Sequence, residues 1–179
     1  MKSLQRELLI EQDTAMSFKQ ISRILSGHAH GASFVFVDLE TVQVPFTVDN
    51  MIGKHDCSCI LLTVQAGRKK SRHWCTLVAP TKGHGYQFFD SLALSVSRLN
   101  HLLQDNGKFT TFLKKIRATM QVKALQKSLI RVKTCGLFTA VRCSQFKKTN
   151  QEFTRWVTSV NGLTSDRVCV MLCYMGLYT

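Results

Sequence analysis

A cysteine followed at once by glycine, Cys135-Gly136, precedes an apolar run with helical spacing. A thiol at the start of a helix lies beside backbone N–H groups that lack a partner within the helix. It also lies at the positive end of the helix dipole, so the thiolate is favoured over the thiol. Gly136 has no Cβ and lets another backbone approach the sulfur. Because cysteine is often buried and the chain has seven, a core thiol is the alternative, as it is for Cys143.

A cysteine nucleophile needs a base, and His73 is the best candidate among six histidines. His73 begins an apolar strand beside Trp74, and Asp90 ends the next strand. The other histidines lie in glycine-flanked or polar loops or on a helix face: His28, His30, His55, His84 and His101. Antiparallel neighbours bring the first residue of one strand near the last residue of the other. We therefore expect His73 and Asp90 to meet at one rim, where Asp90 would fix the imidazole tautomer. The alternatives are a surface histidine and a turn-capping aspartate.

The elements that must position these residues follow from the spacing of apolar side chains. Strands are predicted at 33–38, 59–64, 73–79, 86–90 and 121–125, of which the middle three form an antiparallel meander. Residues 1–12 are predicted to form a short helix or an entry arm, and a cap at Asp13-Thr14 to begin a second helix. Further helices are predicted at 95–103, at 108–118, from Cys135, near 153–160 and near 168–174. The turn at 65–72 is predicted to lie outside the strands. The fold class that we expect is α+β, with one domain over 1–179 and a central mixed sheet flanked by helices.

The charge predicts a polyanionic partner. The chain has 24 Lys and Arg against 11 Asp and Glu, a formal net charge of +13, which favours nucleic acid over an acidic membrane surface. Two basic clusters form the candidate DNA-binding surface: Arg68, Lys69, Lys70 and Arg72 in one, and Lys114, Lys115 and Arg117 in the other. The alternative is an ordinary solvated turn and helix face.

Other features of the composition exclude several classes of protein. No apolar run approaches the roughly 18 residues that span a bilayer, and the N-terminus lacks the apolar core of a signal peptide, so an intracellular protein without a membrane partner is expected. The odd number of cysteines is read as free thiols in a reducing compartment. Neither the His28–His30 pair nor His55 with Cys57 and Cys59 has the spacing of a zinc site, so no metal is expected.

Three segments together resemble a known family of proteases. His73-Trp74, Phe89-Asp90-Ser91-Leu92 and Cys135-Gly136-Leu137-Phe138 occur in the order found in the adenovirus-type maturation cysteine protease and its relatives in virophages and mobile elements. The SUMO-specific proteases of the same clan share this order. The segment from Cys59 to Trp74 is also similar to its adenoviral counterpart, and the resemblance covers roughly residues 15–145.

The resemblance implies a role for each matching residue. Cys135 would be the nucleophile, His73 the base and Asp90 its orienter, with Trp74 packed beside the site. The clan forms its oxyanion hole from a glutamine upstream of the cysteine and from the cysteine's own N–H. The best match is Gln126, nine positions before the cysteine, and Gln121 is the poorer candidate. The third triad member is Asp, as in the SUMO proteases, where the adenoviral enzyme has Glu.

The resemblance also implies substrates and partners. It implies a monomeric viral endopeptidase that cleaves capsid and core precursors, often at glycine-containing sites, in the virion and in the nucleus or cytoplasm of the infected cell. No cofactor would be required, although DNA or a viral peptide would stimulate activity. Residues 105–125 contain no cysteine that could form a disulfide with such a peptide. The alternatives are a protease for a ubiquitin-like modifier and a non-catalytic basic nucleic-acid-binding core protein.

Overall fold

A five-stranded mixed sheet lies at the centre of the computed structural model, which describes residues 16–28, 32–66, 69–127 and 133–178. Its strands follow chain order: β1 Phe34–Asp38, β2 Cys57–Ala66, β3 Lys69–Val78, β4 Gln87–Phe89 and β5 Thr119–Met120. The two outer pairs are parallel and the two inner pairs are antiparallel. The predicted α+β class and the antiparallel meander are therefore confirmed, while the domain bounds of 1–179 stay a prediction.

Seven helices in the described residues cover both faces of the sheet. They are α1 Phe18–His28, α2 Val48–Met51, α3 Val96–Leu103, α4 Lys108–Lys115, α5 Cys135–Ser144, α6 Asn150–Thr158 and α7 Ser165–Tyr178. Helices α1, α5, α6 and α7 contribute to one apolar core, and helices α2, α3 and α4 to the other. None of the described helices combines the length and the apolar character that a bilayer crossing needs.

Alternation along β2 divides its side chains between the two cores. Cys59 and Leu61 pack with α5, whereas Ile60 and Leu62 pack on the opposite face, because successive side chains of a strand point to opposite sides. Helix α5 is buried from Cys135 to Cys143, as the apolar run with helical spacing after Cys135 indicated. Cys143 is a core thiol, with its sulfur 3.6 Å from that of Cys59.

The β2–β3 hairpin is longer than the sequence pattern predicted. Pairing continues from Cys57 with Val78 to Ala66 with Lys69, so most of the predicted turn at 65–72 is strand. His73 consequently lies inside β3 rather than at its start. The basic residues of this segment were not predicted as strand because the prediction relied on the spacing of apolar side chains, which are missing from this exposed end of the hairpin. Backbone hydrogen bonds pair the two strands there regardless of the side chains.

Three other sequence expectations need correction. Residues 121–125 do not form a strand, since β5 has ended at Met120 and Val122 is 92% exposed rather than packed. The helix predicted at 108–118 ends at Lys115, and Arg117 follows in the left-handed region with φ of 52°. A short helix, α2, lies between the strands predicted at 33–38 and 59–64, where no element was predicted, and Thr47 forms its capping box. The predictions for residues 1–12 and for Asp13-Thr14 lie outside the described residues.

Candidate active site

The candidate site lies where β4 ends beside β3. β4 pairs with β3 only over Thr76–Val78, so β3 continues past the last β4 pair towards His73. Asp90 and Ser91 follow β4 directly at this point. The N-terminus of α5, which carries Cys135, reaches the same place and packs on β3 through Trp74. Three separate segments of the chain therefore converge where a strand pairing ends.

His73 and Asp90 meet, as the sequence predicted, but the pair is fully buried rather than exposed at a rim. His73 Nε2 lies 2.7 Å from Asp90 Oδ1, and the two side chains are 0% and 2% exposed. Asp90 also accepts the backbone N–H groups of Leu92 at 2.9 Å and Leu94 at 3.0 Å. Because an ionised carboxylate can only accept, Nε2 is the protonated nitrogen of this bond, and Nδ1 is the nitrogen left for chemistry. Nδ1 is buried, makes no hydrogen bond of standard geometry with a described residue, and lies close enough to the thiol of Cys135 to affect its pKa.

The interaction between His73 and Asp90 stabilises the charged form of each residue and opposes the effect of burial on its pKa. Burial alone would raise the pKa of Asp90, but the hydrogen bond and charge of His73, with the two backbone N–H groups, lower it below its ordinary value. Burial likewise opposes the imidazolium, yet Cys75, Asp90 and Cys135 together raise the pKa of His73 well above its ordinary value. Burial raises the pKa of Cys75 to about 12, so this thiol is neutral at neutral pH. Because a neutral thiol carries no charge, the negative charge that faces His73 at neutral pH is that of Asp90.

Cys135 is the first residue of α5 and is 8% exposed. Burial would raise its pKa, but the hydrogen bond and positive charge of His73 and the backbone N–H groups of Trp74 and Gly136 lower it below its ordinary value. Thr134, the residue before the helix, does not cap these N–H groups with its side chain, because its hydroxyl donates to Asp166 Oδ1 at 2.5 Å. At the helix start the N–H of Gly136 is therefore directed at the thiol, in line with the effect that the sequence suggested.

Trp74 packs beside the thiol and fixes the chain segment that enters α1. Its indole Nε1 donates to the carbonyl oxygen of Met16 at 3.0 Å, and its ring meets Phe18 edge-on at 4.8 Å. A Cβ on Gly136 would lie 2.8 Å from the Cβ of Met16 and 3.3 Å from Trp74 Cδ1. Gly136 is needed here for this close approach, and Trp74 lines the same cavity as Cys135.

A cavity of about 430 Å³ opens at the thiol, and Gln126 lines it together with Cys135. Met16, Phe18, Leu61 and Trp74 supply apolar walls, while Arg72 and Lys133 supply positive charge: the cavity is thus mostly apolar with a basic rim. Gln121, the other candidate donor, lies elsewhere. Its Nε2 donates to the carbonyl of Lys123 at 2.7 Å and to the hydroxyl of Thr154 at 2.9 Å. Of the two glutamines, Gln126 lines the cavity together with Cys135, whereas Gln121 is not among its lining residues.

One group in the described residues has the ligand types and the proximity to hold a metal ion, and it overlaps the candidate triad. One ligand atom each from His73, Cys75 and Asp90 lie within 4.8 Å of one another. Cys57 and Cys59, considered from the sequence, belong to the apolar core under α5, and His55 is not grouped with them.

The structure separates the two basic clusters. Lys70 lies 3.8 Å from Glu40 and Arg72 lies 3.4 Å from Asp38, so both side chains already face carboxylates. Lys69 begins β3, and Arg68 lies outside the described residues. On the other face of the sheet, α4 ends with the exposed residues Lys114 and Lys115, and exposed Arg117 follows.

Comparisons with known proteins leave the site to be judged on its geometry. No protein-family model matches the chain, and no curated protein matches it.

Sequence reasoning missed three residues of this site. Cys75 could have been found from the two-residue period of a strand, which places it on the same face as His73. Ser91 was recognised only as part of a motif, although its hydroxyl donates to Gln126 Oε1 at 2.8 Å. Met16 carries no pattern that predicts its position over Gly136.

Proposed function

We propose that this chain is a cysteine endopeptidase in which Cys135, His73 and Asp90 form the catalytic triad. The observation that carries the proposal is the buried His73–Asp90 pair, with a second imidazole nitrogen that remains for Cys135. A histidine, a carboxylate and a thiol of lowered pKa are the groups that acyl transfer through sulfur requires.

The first half of the reaction forms an acyl-enzyme. The thiolate of Cys135 attacks the scissile carbonyl carbon, so a C–S bond forms while the carbonyl π pair moves to oxygen. The side-chain amide of Gln126 and the N–H of Cys135 would donate to that oxyanion, and such donors contribute about 3 kcal/mol each. When the tetrahedral intermediate collapses, the C–N bond breaks and the Nδ1 proton of His73 passes to the leaving amine.

The second half returns the enzyme to its starting state. Neutral His73 takes a proton from water at Nδ1 as the water oxygen attacks the thioester carbon. The C–S bond then breaks, which releases the carboxylic acid product and regenerates the thiolate beside the imidazolium. Asp90 remains an anion throughout, since its role is to hold the tautomer and the positive charge of His73.

The substrate class comes from the resemblance to the adenovirus-type proteases. On that basis we propose viral capsid and core precursors as substrates and virion maturation as the setting. The apolar cavity beside Cys135 supports a peptide substrate, because apolar walls with a few polar groups are typical of binding sites. DNA remains a proposed partner, and the exposed Lys114, Lys115 and Arg117 are the stronger candidates because no described salt bridge involves them.

The test combines thiol labelling with cleavage. Iodoacetamide at pH 6 is expected to label Cys135 faster than the other six cysteines, as measured by peptide mass spectrometry. In parallel, the protein is incubated with a viral core-protein precursor and with a SUMO precursor. Cys135→Ala should abolish cleavage, while Cys143→Ala, a change at a core thiol of the same helix, should keep it.

Each outcome separates the proposal from its alternatives. Cleavage of the SUMO precursor alone would favour the modifier protease. Labelling of Cys135 no faster than that of the other cysteines, together with absence of cleavage, would favour a non-catalytic nucleic-acid-binding protein. A Cys135→Ala protein that still cleaves would overturn the assignment of the nucleophile.

A further inference from the structure

Ser91 lies between the candidate triad and the candidate oxyanion donor. It follows Asp90 directly and is 0% exposed. Its carbonyl oxygen accepts the backbone N–H groups of Leu125 at 2.8 Å and Gln126 at 2.9 Å. Its hydroxyl donates to Gln126 Oε1 at 2.8 Å. Ser91 therefore holds Gln126 at both its backbone and its side chain.

The hydrogen bond from the Ser91 hydroxyl favours one of the two orientations of the Gln126 side-chain amide. A glutamine amide has one acceptor oxygen and one donor nitrogen, and the two orientations have nearly the same shape. Among the described residues, Gln126 Oε1 is the only acceptor of the Ser91 hydroxyl. If the amide turned over, Nε2 would donate to the oxygen of the Ser91 hydroxyl, and the hydroxyl hydrogen would have no acceptor among the described residues; a buried donor without an acceptor is costly.

We propose that Ser91 is a positioning residue that directs the donor end of Gln126 to the oxyanion formed at Cys135. The inference rests on the proposed protease function and adds to it. With Oε1 held by Ser91, Nε2 is the end of the amide that can donate to a negative charge in the cavity shared with Cys135. The opposite orientation would place a carbonyl oxygen against the oxyanion and repel it.

The arrangement also couples two catalytic requirements through adjacent residues. Asp90 orients the base and Ser91 orients the oxyanion donor, so the turn after β4 sets both positions at once. A displacement of this turn would therefore affect proton transfer and oxyanion stabilisation together, whereas a change of the Ser91 hydroxyl alone should affect only the second.

The experiment compares Ser91→Ala and Ser91→Thr with Gln126→Ala and with the double variant Ser91→Ala/Gln126→Ala. Gln126→Ala is expected to lower kcat by roughly 100-fold, and Ser91→Ala by roughly 10-fold with KM little changed. Ser91→Thr keeps the hydroxyl and should retain most of the activity. The double variant should be no slower than Gln126→Ala, because Ser91 acts only through Gln126.

Two readouts separate positioning from a general structural role. Alkylation of Cys135 by iodoacetamide forms no oxyanion, so its rate should be the same in Ser91→Ala and in the unaltered protein. The affinity for a peptide aldehyde, whose adduct with Cys135 does carry the oxygen, should fall roughly 10-fold. A loss that multiplies with that of Gln126→Ala, or an equal loss of alkylation rate, would overturn the inference.

A measurement that does not depend on enzymatic turnover distinguishes failure of the Ser91 proposal from failure of the proposed protease function. The Gln126 side-chain ¹H–¹⁵N signals, assigned by their loss in Gln126→Ala, are expected to shift in Ser91→Ala and to stay close to their original positions in Ser91→Thr. If the unaltered protein neither cleaves nor labels selectively at Cys135, the protease function fails and so does the oxyanion role, even where the shift occurs. If the protein is active and Ser91→Ala has unchanged kcat, only the inference about Ser91 fails.

Discussion

The contact between Gly136 and Met16 gives the sharpest test of how the site is assembled. An alanine Cβ at position 136 would lie 2.8 Å from the Met16 Cβ and 3.2 Å from its Cγ. Carbon atoms in contact prefer about 3.5–4.0 Å, so the overlap is roughly 1 Å. A side-chain rotation cannot relieve it, because the nearest Met16 atom is the Cβ, which is attached to the backbone.

The expected cost follows from two opposing terms. Overpacking of this kind costs about 1–3 kcal/mol. Alanine gains up to about 1 kcal/mol over glycine within a helix, and position 136 is in the first turn of α5. We therefore expect Gly136→Ala to lower the free energy of unfolding by about 1–2 kcal/mol. Because Met16 must move, its carbonyl oxygen should also separate from Trp74 Nε1, which now donates to it at 3.0 Å.

Activity should respond more strongly than stability. Met16 and Trp74 both line the cavity beside the nucleophile, and a misplacement of about 1 Å can cost roughly 100-fold in rate. We expect kcat/KM for a cleaved peptide to fall at least about 10-fold. Gly85→Ala is the matched control, since a Cβ there meets nothing within 4 Å, and its free energy of unfolding should change by less than about 0.5 kcal/mol.

Urea unfolding followed by tryptophan fluorescence measures the stability of both variants, and peptide cleavage measures activity. If Gly136→Ala matched Gly85→Ala in both measurements, Met16 would not lie against the start of α5 in solution, and the proposed wall of the cavity would be wrong.

The remaining predictions concern pH and charge. The alkylation rate of Cys135 should reach half its plateau below the pH expected of an ordinary thiol, about 8.5, whereas Cys75, with its pKa raised to about 12, should stay unreactive. Asp90→Asn should move the alkylation midpoint of Cys135 to higher pH, because His73 loses a cause of its raised pKa and so holds its proton less well. The same variant should be less stable than the unaltered protein at pH 7. That gap should narrow as the pH falls through the lowered pKa of Asp90, below about 4, as acid unfolding of the two proteins would show. Lys114→Gln/Lys115→Gln should weaken binding to duplex DNA and reduce its dependence on salt, whereas unchanged binding in a fluorescence titration would remove this surface from consideration.

The sequence could predict the meeting of His73 and Asp90 because that meeting depends on topology. Two consecutive antiparallel strands bring these positions together even when the strand bounds are several residues wrong, as they were for β3. The fold class was predictable for a similar reason, since the apolar spacing marks the central strands and α5. Strand ends and loops are set by backbone hydrogen bonds and tertiary contacts, which apolar spacing does not record.

The residues that complete the site could not be predicted in this way. Gln126 was found through the resemblance alone, and the bond that orients it comes from Ser91, 35 positions away in the chain. The strand predicted for 121–125 was wrong because its alternation does not reflect burial: Val122 faces solvent. Met16 reaches the site through its backbone carbonyl, a group that every residue has and that no sequence pattern marks.

The charge balance of the site explains why it forms where elements end. In the proposed mechanism a carboxylate, an imidazolium and a thiolate are buried together and carry a net negative charge, which burial disfavours unless donors compensate it. Four backbone N–H groups supply that compensation: Leu92 and Leu94 at the carboxylate, and Trp74 and Gly136 at the thiolate. Such N–H groups remain for side chains at helix starts, in turns and beyond the last pair of a strand, but not inside a complete ladder. A β4 extended by two residues would pair with β3 beside Trp74 and would replace the turn that holds the carboxylate. The shortness of β4 is therefore a condition for the proposed site.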